Sequence, residues 1–230
     1  MHPPNQEKPR RNHRLDTLLN HLPSLNLISD HQLNALEAAL LEESRLSLNY
    51  IVLVLGSAGI ATTGLIANSP AVIIGAMIVA PLMLPIRGVT LGALTGNLTL
   101  VKRGIQSVAL GSLLGVSIAY LFTLLMAVPS FGSEILARTR PNTLDLIVAL
   151  IAGMIGAFAK SRPKIADSLA GVAIAVALMP PLCVVGIGLA KGDAWVSSGA
   201  LMLYITNLVG IGLACSITFF VMGYSPHRRH

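Results

Sequence analysis

Long apolar segments separated by short polar breaks fill the chain from residue 50 onward. A run of about 18 or more apolar residues indicates a helix that crosses a membrane. Six such segments are predicted, and they cover residues 50–67, 70–101, 105–128, 144–159, 167–190 and 194–223. The pattern therefore predicts an all-α integral membrane protein with about six transmembrane helices.

The part of the chain before the first apolar segment divides in two. Residues 1–28 are rich in proline, charged and amide side chains, which predicts a disordered basic tail. Residues 29–48 predict a cytoplasmic amphipathic helix that starts at Ser29, with Gln32 three residues later as in a capping box. Its apolar stripe consists of Leu33, Leu36, Leu40 and Leu41, and off the stripe lie Glu37, Glu42 and Glu43. Such a helix can lie on the membrane surface, pair with a second copy of itself, or continue into the first span.

Composition narrows the class of protein further. Hydrophobic residues make up 53% of the 230 residues and charged residues only 11%, whereas soluble domains have about 25% charged residues. The net charge of +6 does not indicate nucleic-acid binding, because the sequence has no basic face with interleaved aromatic residues. The sequence also has no phosphate-binding loop, metal-ligand motif or nucleophile motif. We therefore expect no catalytic residues, no metal, no cofactor and no enzymatic activity.

Basic residues at the polar breaks predict the orientation in the membrane. Lys102 and Arg103 fall between the second and third segments, and residues 160–164 add three basic side chains between the fourth and fifth. Residues 224–230 form a basic tail. Because cytoplasmic loops carry the excess of Lys and Arg, these breaks and both termini are predicted to be cytoplasmic. Residues 129–143 then form the main outer loop.

An internal repeat relates two halves of the membrane region. After a shift of 96 residues, residues 75–97 align without a gap on residues 171–193, and eight of the 23 positions are identical. We expect two repeats of three spans each, residues 49–128 and residues 144–223. Because three is an odd number, the two halves would be inverted relative to one another. Inverted repeats of this kind recur in secondary transporters.

Prolines interrupt the second and the fifth predicted segments. Pro81 and Pro85 fall in the second, and Pro180 and Pro181 fall in the fifth. A proline removes a backbone hydrogen bond and crowds the preceding turn. Residues 70–101 as one helix would also measure about 48 Å, against a hydrocarbon core of about 30 Å. We therefore expect both spans to be broken. Paired broken helices are typical of transport sites, but two proline kinks can equally serve helix packing.

Polar residues within or next to the apolar segments are the other candidates for a solute or ion path. Arg87 is predicted to contact an anion or an internal acid, or else to extend to the cytoplasmic interface, since a charge inside the bilayer costs about 2.5–3.5 kcal/mol. Asn207 lies deep in the sixth segment, and Cys183 follows the prolines of the fifth. Cys183 can equally be a small buried thiol. Asn68 and Ser69 precede the second segment and are candidates both for the path and for capping of that helix.

Small residues recur at four-residue spacing along several segments. This spacing places them on one helix face, where they let neighbouring helices approach closely in lipid. The candidates for such packing are Gly88, Gly92, Gly96, Gly111, Gly115, Gly188 and Gly192. The pattern predicts a tightly packed bundle in the lipid bilayer and a homo-oligomer.

Three stretches together resemble a known family. SPAVIIGAMIVAPLMLPIRG (residues 69–88), SLAGVAIAVALMPPL (168–182) and LYITNLVGI (203–211) are similar to the bacterial family called domain of unknown function 389. The resemblance covers about residues 50–223, and the family comprises uncharacterised hydrophobic membrane proteins. It implies a location in the bacterial inner (plasma) membrane and supplies no substrate and no catalytic role. The residues that it assigns to the family pattern are Ser69, Pro70, Gly75, Pro81, Pro85, Pro180, Pro181 and Asn207.

Two hypotheses for the function follow from these features. The first is a secondary transporter or channel for a small solute or ion, with its path at the interface of the two halves near residues 81–87 and 180–183. The second is a non-transporting membrane scaffold or sensor that oligomerises and binds a partner through its N-terminal helix. An enzyme acting on lipid is disfavoured, because the apolar segments contain no acid–base pair.

Overall fold

The structure is a computed structural model that describes residues 30–126, 130–161 and 178–224. Every regular element within these residues is a helix. In chain order the helices are α1 (Asp30–Glu43), α2 (Leu48–Ile66), α3 (Pro70–Val79), α4 (Met83–Thr95), α5 (Leu98–Met126), α6 (Ser133–Leu136), α7 (Thr143–Lys160), α8 (Met179–Ala190) and α9 (Ala194–Val221). The predicted cap Ser29, the tail of residues 1–28 and nearly all of the tail of residues 224–230 lie outside the described residues.

Four helices, α2, α5, α7 and α9, are long and apolar enough to cross a membrane. Together α3 and α4 meet the same test, with a bend of 49° between them, so the described residues hold up to five spans. Large side chains such as Leu125, Met202 and Ile217 are more than 60% exposed on the outer faces. Contiguous apolar surface of this kind is typical of a face covered by lipid. The predicted fold class of an all-α membrane protein is confirmed.

The fifth predicted span falls partly on residues 162–177, which lie outside the described residues. Its described part is α8, an apolar helix of 12 residues. This helix is buried on every face from Met179 to Gly188 and packs against α2, α3, α5 and α9. A helix that is apolar all round belongs in the protein interior, so α8 lies at the centre of the bundle.

The helix α1 has the predicted apolar stripe, but one expectation about it is wrong. Leu36 and Leu40 are buried in the main core, and α1 packs against α4 and α5. Glu37, expected on the polar face, is only 9% exposed, and its carboxylate accepts a hydrogen bond of 2.9 Å from the side-chain amide of Asn97. Of the three predicted placements, continuation into the first span is excluded, because α1 ends at Glu43 and the Ser47 hydroxyl caps the start of α2.

The second predicted span is broken as expected, but it ends earlier than predicted. The break at residues 80–82 surrounds Pro81. The helix α4 ends at Thr95 because Gly96 has a positive φ of 73°, a conformation that favours glycine and terminates helices. Residues 98–101 therefore belong to α5, and Lys102 and Arg103 lie within the first turns of that helix instead of in a loop.

The turn between α4 and α5 recurs 96 residues later between α8 and α9. Gly192 has a φ of 68°, and the Asp193 carboxylate caps α9 by accepting a hydrogen bond from the N–H of Val196. Asn97 caps α5 in the same way through the N–H of Leu100. Among the described residues, apart from the chain neighbours, no atom lies within 4 Å of where a Cβ would stand on Gly96 or Gly192, so the packing role predicted for these two glycines is wrong. They are needed for the left-handed backbone of the turn.

Contacts between the long helices define their directions. Tyr50 at the start of α2 donates its hydroxyl to the carbonyl of Ser107, and Gly59 lies against the ring of Phe122, so α2 and α5 run the same way.

The helices α7 and α9 are also parallel, because Leu146 lies against Gly210 and, further along both helices, Gly153 lies against Ala214. Asn68, just after α2, bonds Glu134 of α6, which precedes α7 in the chain, and the end of α7 contacts the end of α1, just before α2. The pair α7 and α9 therefore runs opposite to the pair α2 and α5.

Candidate functional site

Arg87 lies in the second turn of α4 and is only 3% exposed. Its Nη2 atom is 3.6 Å from a carboxylate oxygen of Glu43, and its Nη1 atom donates a hydrogen bond of 3.4 Å to the carbonyl of Gly156 in α7. Within the described residues, its Nε atom is buried without a hydrogen-bond partner. The predicted contact with an internal acid is confirmed. Neighbouring helices enclose the guanidinium, which lies at the end of the bundle where α1 and α7 end.

Glu43 at the end of α1 is the partner that sequence reasoning missed. The same carboxylate accepts a hydrogen bond of 2.5 Å from the Lys160 ammonium at the end of α7. Glu43, Arg87 and Lys160 together form what we call the ion cluster. Two cations and one anion leave one excess positive charge in this cluster. Its only signal in the sequence is that Glu43 is the last acid before the first apolar segment.

Buried polar side chains continue from the ion cluster along one face of α9. The thiol of Cys215 lies beside Arg87 and donates a hydrogen bond of 3.2 Å to the carbonyl of Gly153. Asn207, about two turns nearer the start of α9, is 3% exposed. One turn further, the hydroxyls of Tyr204 and Ser112 are 2.6 Å apart, which joins α9 to α5. We call Tyr204, Asn207 and Cys215 the polar row.

A shift of 96 residues aligns Arg87 in α4 with Cys183 in α8. Cys183 is fully buried, and its Sγ atom donates to the carbonyl of Ala58 in α2 at 3.7 Å. Arg87 thus bonds a carbonyl of α7, and Cys183 bonds a carbonyl of α2. These two matched positions carry different chemistry, because one is a cation and the other is a neutral thiol.

The four prolines of the predicted path are all buried, at two places in the bundle. Pro81 lies at the break between α3 and α4, and Pro85 lies in the first turn of α4, two residues before Arg87. Pro180 and Pro181 occupy the first turn of α8, where a missing N–H removes no helical hydrogen bond. The first pair therefore lies at the start of α4, close to the ion cluster. The second pair lies at the start of the central helix α8.

Asn68 and Ser69 lie at the opposite end of the bundle from the ion cluster. Asn68 is exposed, and its side-chain oxygen accepts hydrogen bonds from the Ser133 hydroxyl and the N–H of Glu134. Ser69 makes no side-chain hydrogen bond at the start of α3. The predicted capping of the second span is therefore wrong, since Asn68 instead binds the start of the short helix α6.

Five of the predicted packing glycines do lie against other helices or turns, and they are Gly88, Gly92, Gly111, Gly115 and Gly188. A Cβ on Gly115 would stand 2.8 Å from Leu182 of α8. Sequence reasoning missed other contacts that are closer than that of Gly115, among them those of Gly186 and Gly153. Gly186 lies against the backbone of α5, and Gly153 lies against the backbone of α9.

Fold and site define this protein as a multi-helical membrane protein with a buried ion cluster where three helices meet. The family model described as Domain of unknown function (DUF389) matches residues 77–213, which is more than half of the chain. The chain belongs to this family. It is also 27% identical over 180 residues to the "Uncharacterized protein MJ0678" of Methanocaldococcus jannaschii, with 78% of this chain and 56% of that protein covered. The chain thus spans little more than half the length of this relative. No solved structure matches the chain.

Proposed function

We propose that this protein is a secondary transporter or channel for a small solute or ion in the bacterial inner membrane, with both termini in the cytoplasm. The path would lie between two inverted halves of three spans each. The observation that carries the proposal is the placement of Arg87, a cation enclosed by α1, α4 and α7 and continued by the polar row of α9. Polar groups inside a membrane bundle are costly, and they mark substrate and ion paths in membrane proteins.

The proposed inversion rests on two features of the fold. The turns at Gly96 and Gly192 have the same caps at a spacing of 96 residues. The pair α7 and α9 runs opposite to the pair α2 and α5. In repeats of this kind the solute site lies where the halves meet, near broken helices. Arg87 and Cys183 lie at that interface, because each bonds a carbonyl of the other half.

The charge of the ion cluster favours an anion as the transported species. Glu43 neutralises one of its two cations, and the Nε atom of Arg87 remains as a buried donor. Guanidinium groups in water-poor surroundings bind carboxylates and phosphates strongly. An anion that approached Arg87 would compete with Glu43, so the shared carboxylate would act as a replaceable partner.

The scaffold hypothesis receives less support from the fold. It needs the apolar stripe of α1 to be available for a partner. Leu36 and Leu40 are instead buried, and Leu33 and Leu41 pack against the same core. We therefore propose that α1 belongs to the path by supplying Glu43.

Flux into proteoliposomes would test the transport proposal. The wild-type chain should carry at least one member of a panel of small anions, cations and neutral solutes faster than empty vesicles. Arg87→Gln should reduce that flux by about tenfold or more, because a charge-assisted contact is lost. Asn207→Ala should reduce it by a smaller factor.

Arg138→Gln is the matched control for the arginine change. Arg138 pairs with Glu134 four residues away in the loop after α5, with 22% of its side chain exposed, so its loss should leave flux unchanged. Each variant would first be checked for a single symmetrical elution peak and a thermal unfolding midpoint. Wild-type flux equal to that of empty vesicles for every solute would refute the proposal.

A further inference from the structure

A cleft of about 230 Å³ lies outside the ion cluster, where α1, α2 and α5 meet. Its lining residues are Ser44, Arg45, Leu46, Arg103 and Gln106. Arg45, Arg103 and Gln106 are exposed. Two guanidinium groups and a carboxamide therefore share one small, open space, and none of the proposed transport residues lines it.

Hydrogen bonds hold the two sides of this cleft in register. The Ser107 hydroxyl of α5 donates to the carbonyl of Ser44 across the cleft at 2.7 Å. On the Arg45 side, the N–H of Ser47 donates to the carbonyl of Arg45 at 2.9 Å, which fixes the turn between α1 and α2. Arg103 precedes Ser107 by four residues, so both lie on the same face of α5. The backbone of Arg45 is thus fixed next to the helix face that carries Arg103. This arrangement reduces the ordering cost of a ligand that needs both side chains.

The charges of the cleft are not compensated within the described part of the chain. Neither Arg45 nor Arg103 has a carboxylate within salt-bridge distance there. Two neighbouring guanidinium groups repel each other unless an anion lies between them. Planar guanidinium groups match phosphate oxygens with paired hydrogen bonds, so a phosphate group is the anion that fits best.

The surroundings of the cleft indicate where that phosphate comes from. Leu48 is 76% exposed and Ile105 is 54% exposed, and they start the lipid-facing surfaces of α2 and α5. Leu46, itself a lining residue, is 41% exposed. Basic pockets that adjoin the apolar surface of membrane helices are typical sites for anionic lipid headgroups.

We propose that this cleft binds the phosphate of an anionic phospholipid, with Arg45 and Arg103 on the phosphate oxygens and Gln106 as a further donor. The acyl chains would lie along the exposed apolar surface beginning at Leu48 and Ile105. A bound lipid would join the corner between α1 and α2 to α5. It would therefore stabilise the helix that supplies Glu43, without entering the proposed transport path.

The test uses the full chain in a neutral detergent, titrated with phosphatidylglycerol, phosphatidylcholine or inorganic phosphate, with bound lipid counted by native mass spectrometry. Phosphatidylglycerol should bind and raise the thermal unfolding midpoint, whereas phosphatidylcholine, whose choline cation would face two arginines, should not. R45Q/R103Q should weaken phosphatidylglycerol binding by about tenfold or more, because two charge-assisted contacts are lost.

Lys102→Gln is the matched control, because Lys102 is an equally exposed cation on the same helix that does not line the cleft. It should leave binding within about twofold of wild type, since it removes only a long-range attraction. Both arginines are exposed, so R45Q/R103Q should keep the wild-type unfolding midpoint without lipid. Equal loss of binding in K102Q, or unchanged binding in R45Q/R103Q, would overturn the proposal. So would inorganic phosphate that raises the midpoint as much as the lipid does, since that outcome assigns the cleft to a free anion.

Discussion

At the scale of single residues, the ion cluster combines burial with incomplete neutralisation. Transfer of a guanidinium from water into a protein interior costs several kcal/mol, and an ion pair repays this only with good geometry and enough hydrogen bonds. Arg87 has one carboxylate at 3.6 Å, which it shares with Lys160, and one carbonyl at 3.4 Å. These contacts are long, so the arginine is held in place mainly by the helices around it. A hydrophobic residue of similar volume would pack there at a lower cost in folding free energy. We therefore propose that Arg87 has a functional role.

Glu43→Gln should lower the free energy of unfolding, because it leaves two cations without their shared anion. We expect a loss of about 1–3 kcal/mol, less than for a fully buried ion pair, because the Glu43 side chain is 28% exposed. Thermal or denaturant unfolding in detergent would measure it. The control is Glu42→Gln, which removes an exposed carboxylate one residue earlier and should change stability by less than about 0.5 kcal/mol. Equal stability of the two variants would show that Glu43 does not hold the cluster.

At the scale of the helices, close packing depends on small residues where backbones cross. Lipid supplies no hydrophobic force between apolar helices, so van der Waals contact between close backbones has to hold the bundle together. The buried face of α5 consists largely of small residues, namely Gly104, Ser107, Gly111, Gly115 and Ala119. This face receives α8, whose Gly186 lies against the backbone of α5. The part of the stripe around Gly115 and Ala119 is therefore the surface that receives the central helix, whereas Gly104 lies against α4 and Gly111 lies against Tyr50 of α2.

Gly186→Ala should destabilise the protein, because the new Cβ would stand 2.7 Å from the Cβ of Ala119 and 3.0 Å from the backbone nitrogen of Tyr120. Backbone cannot move aside cheaply, and overpacking of this kind costs about 1–3 kcal/mol. Gly75→Ala is the matched control, because Gly75 is exposed in the helix α3 and, among the described residues outside its own helix, no atom would lie within 4 Å of its Cβ. That control should be neutral or stabilising by about 0.5–1 kcal/mol, the usual gain for alanine over glycine in a helix. Unfolding midpoints in detergent would decide, and a stable Gly186→Ala variant would contradict the close crossing of α5 and α8.

At the scale of the whole molecule, the proposed function depends on the orientation of the two halves. The end of α7 lies beside the end of α1, just before α2, because Lys160 bonds Glu43, whereas Asn68, just after α2, bonds Glu134 in α6. An anion path between opposed halves could be opened alternately to either side by rocking one half against the other, as repeats of this architecture allow. Among the described residues, the ion cluster has no counterpart at the matched position, because Cys183 stands there in place of Arg87. The two ends of the proposed path would therefore be chemically different.

Labelling of introduced cysteines would test the inverted orientation. Leu98 and Ala194 are exposed, are separated by 96 residues, and each follow one of the two matched turns. Leu98→Cys should react with a membrane-impermeant maleimide only from the cytoplasmic side, and Ala194→Cys only from the outside. The background would be Cys183→Ser with Cys215→Ser. In the wild-type chain, which serves as the control, the two buried thiols should stay unlabelled until the protein is unfolded. Labelling of both positions from the same side would rule out inverted halves.

The sequence by itself determined the features that depend on neighbouring residues. Apolar runs specified the long helices, and Pro81 specified the break between α3 and α4. A shift of 96 residues paired Gly96 with Gly192, although both were predicted to serve helix packing and the structure places them in left-handed turns. These signals are local, because helix propensity, a missing N–H and a left-handed backbone all act within a few residues. The match to the family confirmed the resemblance that the apolar motifs indicated.

Only the tertiary structure decided which polar groups meet. Glu43 reaches Lys160 across 117 residues, Arg87 reaches Gly156 across 69, and Glu37 reaches Asn97 across 60. In the sequence, Glu37 and Glu43 have the positions of solvent-facing residues of an amphipathic helix. Helical periodicity describes one helix by itself and contains no information about the helices that pack against it. Their burial follows from the packing of α1 against α4 and α5. The ion cluster forms because this packing buries charged side chains. A buried charge costs less free energy beside an opposite charge than alone in an apolar interior.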